Sequence, residues 1–271
     1  MSYGFLKMKP SGSFLEVTLN NPERRNPLSS GMIDELLSVL SSPEAIDSQG
    51  IIIAASGPVF SAGHDFSDMM DKEIDALRDL MHACAHLMQS LQRMPQPVLA
   101  KVQGPAMAAG CQLALSCDLV VASENAFFQT PGGRSGWFCF TPMVALTRSL
   151  GGKRAFEMLM SGEPVSAQTA YEWGMINRVV APERLDTEAL DLMDKVTQGS
   201  PPLRAMGKKA FYTQIEMPLD HAYRYATDMM ALTGITEDPQ ERMKAFVEKR
   251  PPVFKHQKKN PTDSETGQEN E

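Results

Sequence analysis

Two short stretches of small residues carry the chemistry that can be read from this chain. The first is Phe60-Ser61-Ala62-Gly63-His64-Asp65; the second is Ala106-Met107-Ala108-Ala109-Gly110-Cys111-Gln112. Each follows an apolar run of strand type, at 50–55 and 97–102, and the second opens directly into a helical pattern. Two units of strand, small-residue loop and helix can aim two backbone N–H groups at one point. Such a point suits a developing oxyanion or another anionic group.

The elements that must position these loops follow from periodicity. Residues 14–19 alternate, with Leu15, Val17 and Leu19 on one face of a strand. Residues 20–28 form a loop with two prolines and the pair Arg24-Arg25. Met32, Ile33, Leu36, Leu37 and Leu40 predict a helix over 29–40, with Ser29 or Ser30 as N-cap. Buried strands are expected at 50–55, 97–102 and 118–122, and helices at 68–94 and 109–117. This alternation predicts α/β architecture. The second half reads as helices at 141–149, 152–161, 166–173, 183–198, 201–215, 218–234 and 238–249, with one strand at 177–180. The domain expectation is a core over 1–195, a helical region over 196–257 and a polar, disordered tail over 258–271.

Composition excludes several classes. The 271 residues carry a net charge of −7 and no long basic run, so a nucleic-acid partner is not expected. Hydrophobic content of 42% is enough for a sizeable core. No apolar run approaches a membrane span, and residues 1–12 lack a leader pattern. Cys84, Cys111, Cys117 and Cys139 are not clustered as metal ligands and read as buried free thiols. A cytoplasmic location is the expectation.

Five stretches in collinear order resemble the crotonase (enoyl-CoA hydratase/isomerase) superfamily. They are the segment from Leu19 through Asn26-Pro27 to Ser29, the two small-residue loops, the run from Ser161-Gly162-Glu163 to Met175-Ile176, and Ala245-Phe246-Val247-Glu248-Lys249-Arg250. The resemblance spans about residues 5 to 256. It implies a crotonase-like (ClpP-type) spiral of ββα units with a C-terminal helical trimerisation region, and trimers or hexamers of this chain. It implies binding of an acyl-CoA thioester as substrate or ligand, with no separate cofactor and no metal. It makes Ala62 and Ala109 the two oxyanion N–H donors, with Gly63 allowing close approach. It places Arg24 and Arg25 along the CoA phosphates and pantetheine. Phe246 and Lys249 would reach the adenine or phosphate end from a neighbouring subunit.

The departures narrow the resemblance. Hydratases of this family use two glutamates around one water. Here the first position holds Gln112 and the second, after Pro131, holds Gly132. An amide cannot take a proton, and glycine has no side chain. A positioned acid or base contributes about 100- to 10,000-fold, so efficient hydration is not expected. With Ser135-Gly136-Trp137-Phe138-Cys139-Phe140-Thr141-Pro142, the chain looks most like the enoyl-CoA hydratase domain-containing protein 3 subgroup.

The remaining candidates have competing readings. His64 is either a proton-handling or thioester-contacting group, or a wall residue holding the loop. Asp65 is either an acid or, as favoured, the cap of a helix starting near Phe66, with Asp68 in its first turn. Arg134 meets either an acyl carboxylate or a surface acid. Trp137, Phe138 and Phe140 line the acyl pocket or its neighbouring core. Cys111 is read as an inert helix-buried thiol. His82 and His86 have metal-compatible spacing but no third ligand nearby, and Asp118 reads as a structural turn acid. Three functions stay open: an acyl-CoA enzyme with a proton handler other than glutamate, a catalytically silent acyl-CoA binder, and a structural subunit of a CoA-metabolising assembly. Grafting glutamates at 112 and 132 is expected to create hydratase activity if the pocket is otherwise intact.

Overall fold

The structure is a computed structural model that describes residues 3–255. The tail expected at 258–271 lies outside the described residues. The strands are β1 (Leu6–Ser11), β2 (Phe14–Leu19), β3 (Ile51–Ala55), β4 (Val98–Val102), β5 (Ala106–Met107), β6 (Leu119–Ser123), β7 (Phe127–Gln129), β8 (Val165–Ser166) and β9 (Arg178–Val180). One sheet runs β1-β2-β3-β4-β6-β9, antiparallel between β1 and β2 and parallel thereafter. Its centre is apolar on both faces because both faces are covered, and so Ile51, Ile52, Ile53, Val98 and Leu99 are all buried. A smaller sheet, β5-β7-β8, takes in the start of the second loop, Ala106-Met107, as β5.

The helices are α1 (Ser30–Leu40), α2 (Pro43–Asp47), α3 (Ile74–Arg93), α4 (Ala109–Ser116), α5 (Gly132–Ser135), α6 (Phe140–Ser149), α7 (Gly152–Ser161), α8 (Ala167–Glu172), α9 (Leu185–Val196), α10 (Pro201–Gln214), α11 (Leu219–Gly234) and α12 (Glu237–Val247). One core cluster joins α1, α3 and α4 to one face of the large sheet. On the other face, Leu185, Ala189 and Met193 of α9 pack against Phe14, Ile52, Leu99 and Val121. Ser29 caps α1, its hydroxyl accepting from the Met32 N–H at 3.2 Å.

Three local expectations change. The helix expected over 68–94 begins at Ile74. Residues 66–68 form a single 3-10 turn, and Asp71 has φ +56, a left-handed conformation no helix interior accepts. Asp68 therefore sits outside α3, and its carboxylate accepts from the Ser30 N–H at 2.7 Å at the start of α1. Strand β1 was not legible: Lys7, Lys9 and Pro10 hide it, as suits an edge strand. The short β5, β7 and β8 and the single-turn α5 also had no periodic signal.

Candidate active site

Both small-residue loops leave the C-terminal ends of parallel strands, where ligands bind in open α/β sheets. The loop after β3 and the loop after β4 are laced together. Phe60 N–H donates to Pro105 O at 3.0 Å, and Met107 N–H donates to Ser61 O at 2.9 Å. A third segment locks in from residues 20–28. Leu28 N–H donates to Gly63 O at 2.7 Å. Asn26, wholly buried, donates through Nδ2 to Ser56 O at 2.9 Å and Val59 O at 2.8 Å, and accepts from Asn21 N–H at 2.8 Å. Asn26 is a positioning residue whose role sequence reasoning missed. Its signal was an Asn in a proline-bounded loop, a residue type that tolerates its φ of +49.

Gly63 is required where it stands. Its φ is +99, and a Cβ there would lie 2.9 Å from Ala108 Cβ and 3.3 Å from Ala109 N. That closeness places the loop backbone directly beside the first turn of α4. The expected donor pair needs one correction. The Ala62 N–H donates to Arg25 O at 3.0 Å and is not free. Among the described residues, the N–H groups of His64 and Ala109 meet no acceptor. Ala109 is the first residue of α4, where N–H groups lack intrahelical partners and the helix dipole is positive. Both residues line one cavity of about 320 Å³.

That cavity has an aromatic wall. Trp137, Phe138 and Phe140 line it, and Phe138 also packs against the main core cluster. Phe138 and Phe140 meet edge to face at 5.1 Å between centroids. Phe66 joins them at the mouth and, like Trp137 and Phe140, remains exposed. The sequence reading missed Phe66, Met81 and Cys139 as lining residues, because nothing in their spacing marks a cavity wall.

The His64 ring turns its Nδ1 to Leu28 O at 3.2 Å, which puts the proton on Nδ1 because a carbonyl only accepts. Nε2 is buried without a partner among the described residues. Burial lowers the imidazole pKa, against the opposing pull of the Leu28 carbonyl and Asp68. His64 is therefore a neutral ring near pH 7. Asp65 is engaged on both carboxylate oxygens. Its oxygens take Arg24 Nη1 at 2.8 Å and Arg24 Nη2 at 2.9 Å, and Oδ1 also accepts from the Ser67 N–H at 3.0 Å. The capping reading holds, and Arg24 has a structural partner besides any ligand. Arg25 is exposed.

The two glutamate positions differ from each other. Gln112 is buried, with its amide oxygen unpartnered among the described residues, and it lines a second cavity between α3, α4 and α6. Gly132 is buried at the start of α5, and a Cβ there would lie 2.1 Å from Trp137 O and 2.7 Å from Cys139 N. The loop after α5 has closed over the position. The expectation for two grafted glutamates required an otherwise intact pocket, and at position 132 a side chain enters only if the backbone of 137–139 shifts.

The other candidates fall outside the cavity. Arg134 pairs with Glu163 on the surface. Cys111 is buried, and burial pushes its thiol up to about 12, which makes it inert at neutral pH. His82 and His86 are exposed on α3, and no group of three or more His, Cys, Asp or Glu among the described residues is placed to hold a metal ion. Asp118 is a structural hub, accepting from Val98 N–H at 2.6 Å, Lys208 Nζ at 2.6 Å and Tyr212 OH at 2.7 Å. Phe246 and Lys249 are exposed at the end of α12 and are not among the cavity-lining residues.

The enoyl-CoA hydratase/isomerase family model matches residues 9–257. The chain belongs to the enoyl-CoA hydratase/isomerase family and has its crotonase fold. Within that family it is similar to the mouse enoyl-CoA hydratase domain-containing protein 3, mitochondrial, at 43% identity over 242 residues, covering 89% of this chain and 81% of the mouse protein. The crystal structure of human enoyl coenzyme A hydratase domain-containing protein 3 matches with a TM-score of 0.87 and 38% identity, covering 92% of this chain and 100% of that one. The crystal structure of an enoyl-CoA hydratase from Mycobacterium smegmatis matches with a TM-score of 0.88 and 40% identity, covering 92% and 98%.

Proposed function

We propose that this chain binds acyl-CoA thioesters and polarises the thioester carbonyl between the His64 and Ala109 N–H groups. The observation that carries the reading is this pair of unpartnered donors at one cavity, held by Gly63. The aromatic wall receives the acyl group, and Arg24 and Arg25 lie toward the CoA phosphates. Efficient hydration is not part of the proposal, since neither Gln112 nor Gly132 can move a proton. Any turnover would have to use another proton handler. The neutral His64 ring is the titratable group nearest the donor pair.

A silent acyl-CoA binder is the second reading, and the closed backbone around Gly132 favours it. Both readings are tested by calorimetry with a panel of acyl-CoAs, followed by mass spectrometry of each bound ester. A new product selects the enzyme, and an unchanged ester selects the binder. No binding to any CoA ester defeats both. A structural subunit of a CoA-metabolising assembly would instead co-purify with a stoichiometric partner.

The proposal includes self-assembly into trimers or hexamers. Helices α10 and α11 bury no residue within the single chain, while Phe211, Ile215, Tyr223, Met230 and Ile235 stand exposed. The division into a core over 1–195 and a helical region over 196–257 belongs to the same proposal. Phe246 and Lys249 would then serve a neighbouring subunit's ligand. Light scattering of the purified chain tests the assembly, and a monomer at micromolar concentration would exclude it. A cytoplasmic site of action is also proposed; the four free thiols fit any reducing compartment. The vertebrate relatives carry the word mitochondrial in their names, and imaging of the tagged chain in its native host decides between the two.

A further inference from the structure

A third cavity lies at the opposite end of the large sheet. Residues 48–49 lead into β3 and residues 95–97 lead into β4, so a space lined by both sits at the N-terminal ends of these strands. The two small-residue loops leave the C-terminal ends. The start of α10 completes the third cavity with Pro201, Pro202, Arg204 and Ala205, and its volume is about 250 Å³.

Three buried polar atoms gather here without a partner among the described residues: Arg204 Nε, Gln96 Oε1 and Ser200 Oγ. Gln96 lines the cavity and is only 8% exposed. It donates through Nε2 to Ala45 O and Ile46 O, both at 2.8 Å, which fixes the amide and leaves Oε1 unused. Arg204 donates through Nη1 to Gln198 O at 3.1 Å and Gly199 O at 3.2 Å, which leaves its Nε–Nη2 edge unused. Lys208, one turn further on the same face of α10, reaches Gln96 O at 2.8 Å and docks that face on Gln96. Ser200 precedes Pro201 and Pro202, which have no N–H to offer its hydroxyl.

These groups ask for opposite things. Arg204 only donates, and an Nε–Nη2 edge matches the two oxygens of a carboxylate. Gln96 Oε1 only accepts. No carboxylate is among the described lining residues. Burial lowers the Arg204 pKa, and no neighbouring carboxylate among the described residues offsets it. A ligand that answers both groups brings an anion and a hydrogen-bond donor together. Pro95, Pro97, Pro201, Pro202 and Ile46 give the rest of the cavity an apolar lining. Its volume is below the ~300–1,000 Å³ usual for sites of drug-sized ligands, which restricts it to a small molecule.

We propose that this third cavity binds a small carboxylate that also carries a donor, an α-hydroxy or α-amino acid with a short apolar side chain. Its carboxylate sits on Arg204 and its hydroxyl or ammonium on Gln96 Oε1. The site is separate from the oxyanion-side cavity and does not depend on the acyl-CoA reading.

The test is calorimetric titration of the full chain with isovalerate, α-hydroxyisovalerate and valine, which share one side chain, and with inorganic phosphate. At least one donor-bearing acid should bind about threefold to tenfold more tightly than isovalerate, the worth of one net hydrogen bond. Whether that acid is the hydroxy acid or valine identifies the donor. Arg204→Met keeps the aliphatic stem, removes the guanidinium, and should weaken that acid by at least about tenfold. Ile46 is 59% exposed, so Ile46→Glu leaves the core untouched. It puts a carboxylate at the cavity wall and should weaken the same acid by about threefold or more. If Arg204→Met does not fold, Ile46→Glu decides alone. The proposal is overturned if none of the three acids binds the unaltered chain, or if isovalerate or phosphate binds as tightly as both donor-bearing acids. Unchanged affinity in both variants also overturns it, because the acid would then bind elsewhere.

Discussion

The two sides of the oxyanion-side cavity were built by different means and have met different fates. On one side the groups aimed inward are backbone N–H groups, and three chain segments hold them by hydrogen bonds to one another. Leu28, Asn26, Ser61 and Pro105 all contribute. On the other side the expected groups are side chains, and neither is a carboxylate here: Gln112 is a buried amide that lines the second cavity, and Gly132 has a neighbouring carbonyl where its Cβ would be. A backbone donor survives almost any substitution of its own side chain. A catalytic carboxylate is lost in a single substitution, and the space can then be refilled. Two unpartnered backbone N–H groups thus stand at the cavity, while neither position 112 nor position 132 offers a carboxylate.

The largest expected effect breaks the intact side. Gly63→Val forces a branched side chain onto a φ of +99 and against Ala108 and Ala109. The loop must move away from α4 and separate the two donors. A hydrogen bond from a neutral donor contributes about 0.5–1.5 kcal/mol net. With both donors displaced, acyl-CoA affinity is expected to fall by about 10- to 100-fold, with the far-ultraviolet circular dichroism unchanged. An unaltered affinity would mean that the donors do not act as a pair.

Next in size is the refilled side. Gly132→Ala adds one methyl 2.1 Å from Trp137 O, so the backbone of 136–139 must shift. Overpacking of this kind costs about 1–3 kcal/mol, to be read as a lower urea midpoint at constant slope. Gln112→Glu is the contrast, because space exists but a partner does not. A buried, unpaired carboxyl titrates above its unfolded value of about 4.3. Its penalty is therefore absent below about pH 4.3, grows as pH rises from there to the higher native value, and is full above it. The variant should lose more stability relative to the unaltered chain at pH 8 than at pH 5. A loss of equal size at both values would mean the new carboxyl finds a partner.

The sequence showed these two sides unequally, for physical reasons. Strands β3, β4 and β6 were legible because a strand buried on both faces must be apolar throughout. The two loops were legible because close backbone approach demands small residues. Which N–H faces the cavity was not legible. Ala62 and His64 flank the same glycine, and the choice depends on the Arg25 carbonyl, which arrives from a segment 37 residues away in the chain (62 − 25). Glycine at 132 announced a missing side chain, but not that Trp137 O had taken the space. Helix α3 was over-extended because its apolar spacing fixes only its interior, from Leu77 onward, and the left-handed Asp71 leaves no mark in a hydropathy pattern.

His64 sits where the two sides meet, and its effect is smaller. Burial holds the folded imidazole below its ordinary pKa. The unfolded chain takes up a proton near pH ~6.5 and the native ring only at lower pH. His64 thus lets stability stand in full above about pH 6.5, and stability is lost as pH falls through the window below it. His64→Asn lacks this titration. Comparing urea midpoints at pH 7.5 and 5.5, the unaltered chain should lose more than the variant. Identical losses would show that the ring titrates as it does in water.

The smallest effect separates two roles on the intact side. Arg24 holds Asp65 through two nitrogens, and it is also the residue expected near the CoA phosphates. The Arg24 side chain is 55% exposed, so the pair is screened and Arg24→Met should cost about 1 kcal/mol or less, diminishing with salt. Ligand choice then decides what that arginine does in binding. An acyl-pantetheine carries the thioester and the arm but no nucleotide phosphates. If Arg24 only braces the loop through Asp65, the variant weakens acyl-CoA and acyl-pantetheine by the same small factor. If it also meets phosphate, acyl-CoA weakens further and its salt dependence flattens, while acyl-pantetheine does not. Asp65→Asn supplies the control: it releases the brace but leaves the guanidinium free, so a phosphate contact survives it and a bracing role does not.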